Sequence, residues 1–185
     1  MDKLTPKDTS KGAEEIVLTQ IKQDFITPAN AIFDYVDIVE KFLNDAELVS
    51  DDEIAQIKSS CTHLIEQYEV AFVQNTGANA EDAKKSPEEY SELRHNLRTP
   101  LNAIIGYSEI LMEDYEDDLE ESAIEDFQQI INLARETEKA IEVFVDYIRG
   151  EAIDPNNDNA SNQLESAESL FKSLGDIEYS ISLDD

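Results

Sequence analysis

Apolar residues recur along most of this chain at steps of three and four, the spacing that lines one face of an α-helix. From about Glu14, Ile16, Leu18, Ile21, Phe25, Ile32, Tyr35, Val36, Val39 and Phe42 mostly keep that spacing, and the pattern fades at Asn44-Asp45. Ser50-Asp51-Asp52-Glu53 then reads as a capping box, in which the serine accepts from the third helical amide and the glutamate reaches back. The helix it opens carries Ile54, Ile57, Cys61, Leu64, Ile65, Tyr68 and Phe72, and is expected to stop at Asn75-Thr76-Gly77. Ser86-Pro87-Glu88-Glu89 is a stronger start, with serine at the cap, proline at the first helical position and glutamate at the third. Its helix carries Tyr90, Leu93, Leu97, Leu101, Ile104, Ile105, Tyr107, Ile110 and Leu111. Ser122-Ala123-Ile124-Glu125 reads as another capping box. It precedes Phe127, Ile130, Ile131, Ala134, Ile141, Phe144, Val145 and Ile148, and this fourth helix is expected to end near Gly150. Four helices with one apolar stripe each predict an all-α fold, an antiparallel four-helix bundle.

The flanks read differently. Residues 1–11 are polar without periodicity, and a flexible leader is expected there. Asp154-Pro155-Asn156-Asn157-Asp158-Asn159 has linker composition, and Asn162–Leu174 can form a short helix capped by Gly175. Ile177, Tyr179, Ile181 and Leu183 alternate with polar residues, as in a strand. A lone strand cannot stand unpaired. Residues 151–185 are therefore expected either to pair with another chain or to lead into a domain this chain lacks.

Charge narrows the partners. With 14 Lys+Arg against 43 Asp+Glu among 185 residues, the formal net charge is −29. Phosphate backbones and anionic membrane surfaces need clustered cations, so neither nucleic acid nor membrane is expected as a partner. A single cysteine excludes an internal disulfide framework and a multi-cysteine metal site. No apolar run approaches the roughly 18 residues of a membrane span, and the first residues lack a signal peptide's apolar stretch. The expected setting is soluble and cytoplasmic.

The decisive feature is self-similarity. Lys22-Gln23-Asp24-Phe25-Ile26-Thr27-Pro28-Ala29-Asn30-Ala31-Ile32-Phe33-Asp34-Tyr35 overlays Arg94-His95-Asn96-Leu97-Arg98-Thr99-Pro100-Leu101-Asn102-Ala103-Ile104-Ile105-Gly106-Tyr107 at an offset of 72, with Thr, Pro, Asn, Ala, Ile and Tyr identical. An offset of 76 pairs Ile54 with Ile130, Ile65 with Ile141, Tyr68 with Phe144 and Phe72 with Ile148. A helix-interior proline costs on the order of 3 kcal/mol, so two at matched positions point to a shared design rather than chance. The chain reads as two tandem hairpins, residues 12–77 and 86–150, joined by a connector at 78–85. Pro100 frees the carbonyl of Asn96 and is expected to weaken or bend the helix just after His95.

The second copy closely resembles the H-box of sensor histidine kinases, the dimerisation and histidine-phosphotransfer (HisKA-type) domain. The string Leu93-Arg94-His95-Asn96-Leu97-Arg98-Thr99-Pro100-Leu101-Asn102-Ala103-Ile104-Ile105-Gly106-Tyr107 carries the likeness over residues 86–150, and the first hairpin looks like a degenerate relative. That family's domain is a two-helix hairpin that dimerises into a four-helix bundle, so two hairpins in one chain imply a covalent, monomeric pseudo-dimer. The rival is an intermolecular dimer with both hairpins extended end to end. The resemblance makes His95 a phosphoacceptor, exchanging a phosphoryl group with the aspartate of a response-regulator receiver domain. It gives Thr99 the position that orients water for dephosphorylating such a partner. Arg94, Arg98 and Pro100 are placed near the docking face.

Two departures qualify it. Gln23, with Thr27 in its pseudo-site, stands at the acceptor position of the first copy, and an amide cannot carry a phosphoryl group. Asn96 stands where the family usually has Glu or Asp, the residue that helps deprotonate the histidine, which weighs against autokinase chemistry. Nothing after Gly150 resembles the family's ATP-binding domain, so this chain alone is not expected to bind ATP. A receiver brings its own Mg²⁺, so no cofactor or metal is expected in the chain. An imidazole suits the relay because it titrates near neutrality and offers a free ring nitrogen.

The bland readings stand beside these. An isolated helical histidine is usually structural or a surface residue, and His63, which lacks the H-box context, reads as a helix-face residue. Cys61 reads as a buried small hydrophobe. The acidic run 113–121 lacks the glycine and ligand spacing of a Ca²⁺ loop and reads as a solvated turn. The main rival function is a catalytically silent scaffold that binds a partner or passes helix motion to an output domain. A third, an acidic chaperone for basic proteins, rests on charge alone.

Overall fold

The computed structural model describes residues 6–48, 51–76 and 85–150. They form α1 (Pro6–Asp45), α2 (Asp51–Asn75), α3 (Pro87–Asp114) and α4 (Glu121–Arg149), an all-helical array with no strand among the described residues. The helices pack in a ring, α1 on α2, α2 on α3, α3 on α4 and α4 on α1, so that α1 lies diagonal to α3 and α2 diagonal to α4. Neighbours run antiparallel: α1 meets α2 through Ile21 and Tyr68 at one end and Glu40 and Lys58 at the other. This is the expected four-helix bundle. No described helix is long and apolar enough to cross a membrane.

The helix ends follow local chemistry, with two corrections. Ser86 caps α3 as expected, accepting from the Glu89 amide at 3.3 Å while the Glu89 carboxylate accepts from the Ser86 amide at 2.7 Å. Gly150 ends α4 at φ 72°, a left-handed conformation that glycine adopts without steric cost. The α4 start differs from the expected Ser122 box: Glu120 is the N-cap, it makes no side-chain capping bond, and Ser122 lies exposed inside the first turn. Burial decides this register. Leu119 packs on the core, its amide donating to Tyr115 O at 3.0 Å, and Ala123 is buried, so the helix is anchored before the serine is reached. The second correction is at the leader, where α1 begins at Pro6. Proline suits a first helical position because its φ is preset and its missing N–H is not needed there; a polar turn carries no apolar stripe for periodicity to detect. Ser50, Gly77, residues 78–84 of the connector and the short helix and strand expected after Gly150 lie outside the described residues.

Helical structure runs unbroken through Pro28 and Pro100, and both prolines are buried. The buried positions of the two halves keep one register. Phe25, Pro28, Ala29, Ile32, Val36 and Val39 are buried in α1, and so, 72 residues on, are Leu97, Pro100, Leu101, Ile104, Ser108 and Leu111 in α3. Ile54, Cys61, Leu64 and Tyr68 in α2 match buried Ile130, Thr137, Ala140 and Phe144 in α4 at an offset of 76. Ile110, expected in the apolar stripe, is instead 44% exposed.

Aromatic rings join the halves. Phe25 stacks on Tyr68 with centroids 3.5 Å apart and planes 6° from parallel. Phe144 from the diagonal helix lies 5.0 Å from Tyr68 and 5.8 Å from Phe72. The Tyr68 hydroxyl donates to Ile21 O at 3.3 Å, so its one polar group is satisfied inside the core. Truncating Phe144 leaves a cavity at this junction and removes two ring contacts. Phe144→Ala should therefore lower unfolding free energy by about 3–5 kcal/mol, read from urea denaturation followed by far-UV circular dichroism.

Candidate functional site

The α3 segment 94–100 distributes its side chains around nearly two helix turns. Leu97 and Pro100 point into the core. His95 and Thr99, one turn apart, are exposed on the outer face, and Asn96 is exposed beside them. The Thr99 hydroxyl donates to His95 O at 2.9 Å, an added intrahelical bond in the turn that Pro100 weakens by supplying no N–H to Asn96 O. With its hydrogen so engaged, the Thr99 oxygen still has lone pairs facing outward to accept a hydrogen bond.

Arg94 and Arg98 turn toward α4. Arg94 Nε lies 2.9 Å from Glu142 Oε2 and Nη2 lies 3.2 Å from Asp146 Oδ1; Arg98 Nη2 lies 2.9 Å from Glu142 Oε1 and Nε 3.2 Å from Glu138 Oε1. The Nε contacts are ion-pair proximities rather than aligned hydrogen bonds. Burial raises the Glu142 carboxyl above its ordinary value, outweighing the opposite pull of the two guanidiniums. The ion pairs thus fasten α3 to α4 more by geometry than by large net energy. Of the residues assigned to a docking face, Arg94 and Arg98 are engaged within the bundle and Pro100 is buried.

On the other flank of α3 lies a groove shared with α2. Asn96, Thr99 and Pro100 line it from α3, and His63 and Gln67 from α2. His63 is an exposed helix-face residue, its Nε2 2.8 Å from Gln67 Nε2. Sequence reading placed it on a helix face but not opposite Asn96. Only the antiparallel register of α2 against α3 makes them neighbours, and no local motif encodes that.

The site contains neither of two further kinds of chemistry. Cys61 is buried, and burial pushes its thiol up to about 12, so it is no nucleophile. Among the described residues no group of three or more His, Cys, Asp or Glu is placed to hold a metal ion.

His95 presents its imidazole to solvent, one turn before the Thr99 hydroxyl that donates to its backbone carbonyl. Residues 88–153 match the family model of the His Kinase A (phospho-acceptor) domain. The match covers just over a third of the chain and lies on the second hairpin. No curated protein and no solved structure matches the chain. The matched segment contains His95 and Thr99, both exposed on α3.

The counterpart region of α1 has no histidine. Gln23 and Thr27 are exposed as His95 and Thr99 are, on the diagonal helix. Asp24, the counterpart of Asn96, is partly buried; Oδ1 accepts from Gln20 Nε2 at 2.8 Å and Oδ2 has no hydrogen-bond partner. Burial raises its carboxyl above the ordinary 3.8. A carboxylate raised by folding is a penalty fully present above its folded pKa and absent below its unfolded one. Asp24→Asn should therefore raise the melting temperature near pH 7. The difference should shrink as pH falls and vanish below about 3.8, as differential scanning fluorimetry across pH would show.

Proposed function

We propose that this chain is a histidine-phosphotransfer module of a two-component pathway, with His95 exchanging a phosphoryl group with the aspartate of a receiver domain. The single observation that carries the reading is the exposed imidazole of His95 within the matched phospho-acceptor segment. The unprotonated ring nitrogen attacks phosphorus in line with the departing aspartyl oxygen. A P–N bond forms, the P–O bond breaks, the carboxylate leaves with the electron pair, and the ring N–H proton passes to water. In the reverse direction the receiver carboxylate attacks and the imidazole leaves. The chain's part is to present the ring; the receiver supplies Mg²⁺ and the acidic pocket that neutralise charge.

The same proposal makes residues 12–77 a degenerate copy of the hairpin 86–150, folded against it as a pseudo-dimer within one chain. The shared burial register at offsets of 72 and 76 supports this. The second reading, a silent scaffold, is favoured by Asn96 in place of an acid and Gln23 in place of a second histidine.

Incubation with receiver domains carrying labelled aspartyl phosphate separates the two readings. Transfer predicts acid-labile, alkali-stable label on the wild-type chain and at least a hundredfold less on His95→Ala. A scaffold predicts no label on either, with partner binding intact in the variant.

A further inference from the structure

The two longest runs without Asp or Glu in this chain are 54–65 and 93–108. Both histidines fall in them, His63 in the first and His95 in the second. The fold lays the two runs side by side. The first belongs to α2 and the second to α3, and antiparallel packing sets Ser59, Ser60 and His63 across a groove from Asn96 and Thr99. This part of the groove, about 380 Å³, has no carboxylate on its walls, in a chain with 43 Asp+Glu. The adjoining part has one, Glu66.

The walls are polar, and much of that polarity is left unused by the fold. The Ser59 and Ser60 hydroxyls and the Asn96 amide have no hydrogen-bond partner among the described residues. His63 Nε2 lies 2.8 Å from Gln67 Nε2; with the amide donating, the ring proton sits on Nδ1, which stays available as a donor. Hydroxyl, amide and imidazole N–H groups all donate to phosphoryl oxygens. At a net charge of −29 an anion is repelled over most of the surface, and least where two acid-free runs meet. His95 stands at the rim: Asn96 follows it in sequence, and Thr99 lies about 40° from it around α3.

We propose that this acid-free part of the groove binds a small phosphate-bearing anion of the acyl phosphate class, and that His95 takes a phosphoryl group from it directly, with no phosphorylated protein required. The binding stands on the groove alone; the transfer rests on the phosphotransfer reading of His95. The unprotonated ring nitrogen attacks phosphorus and a P–N bond forms. The P–O bond to the acyl group breaks, the carboxylate leaves with the electron pair, and the ring N–H proton passes to water. Holding the donor beside the ring replaces a chance encounter with a bound one.

The test uses the full chain, with acetyl phosphate as donor and inorganic phosphate as competitor. Labelling of wild type should saturate with acetyl phosphate concentration, and inorganic phosphate should inhibit it competitively. Inorganic phosphate should also shift the side-chain NMR resonances of His63 and Asn96, both in wild type and in His95→Ala, which takes no label. Ser59→Asp and Gln67→Glu each put a carboxylate on the wall and should raise the half-saturating donor concentration at least tenfold. Gln128→Glu adds the same charge at an exposed position of α4 and should match wild type. Thermal melting identifies a variant that folds poorly; Ser59 is exposed, so Ser59→Asp keeps the comparison valid if Gln67→Glu does. Labelling that rises linearly with donor throughout, that resists inorganic phosphate, or that is undiminished in Ser59→Asp would overturn the proposal. So would label from a receiver domain carrying aspartyl phosphate with none from acetyl phosphate, a result that leaves the acceptor role of His95 intact. No label from either donor would remove that role, and the direct transfer with it.

Discussion

One constraint arranges the segment around His95: Leu97, Pro100, Leu101 and Ile104 must lie on the inward face of α3. At about 100° per residue, burying Leu97 turns His95 about 200° away, into solvent. It puts Thr99 within about 40° of His95, sends Arg94 and Arg98 to one flank and Asn96 to the other. The core thus sets the exposure of the imidazole, and the same rotation decides which flank is stapled by arginines and which stays open. The ring of aromatic contacts around Tyr68 and Phe144 holds the α2 and α4 walls against which that rotation is fixed.

Placing two hairpins in one chain changes what each must do. Two identical chains share every substitution; two tandem copies need not. In the proposed pair, α3 keeps the imidazole and has Asn96 beside it, while α1 has Gln23 and keeps a carboxylate at Asp24. The two halves do not complement each other, because α1 and α3 are diagonal and Asp24 is partly buried on its own helix. What the first hairpin contributes to the second is packing and the α2 wall of the groove.

Helix number, bundle class, the α3 cap and the exposure of His95 were legible in the sequence, because each follows from local spacing. The start of α1 was not, since a polar turn has no stripe. The start of α4 was misplaced because Ser122 offers a better cap by type than Glu120, while burial of Leu119 and Ala123 outweighs a capping bond worth about 1 kcal/mol. The pairing of Arg94 and Arg98 with α4 and the nearness of His63 to Asn96 depend on how helices 30–50 residues apart align, and no short-range pattern carries that information.

The proposed pseudo-dimer requires the two hairpins to close on each other within a single chain. Sedimentation equilibrium across a wide protein concentration range tests this most directly. The intrachain bundle predicts one species of 20.9 kDa at every concentration; a mass that climbs to twice that value as concentration rises would mean the hairpins pair between chains and would contradict it.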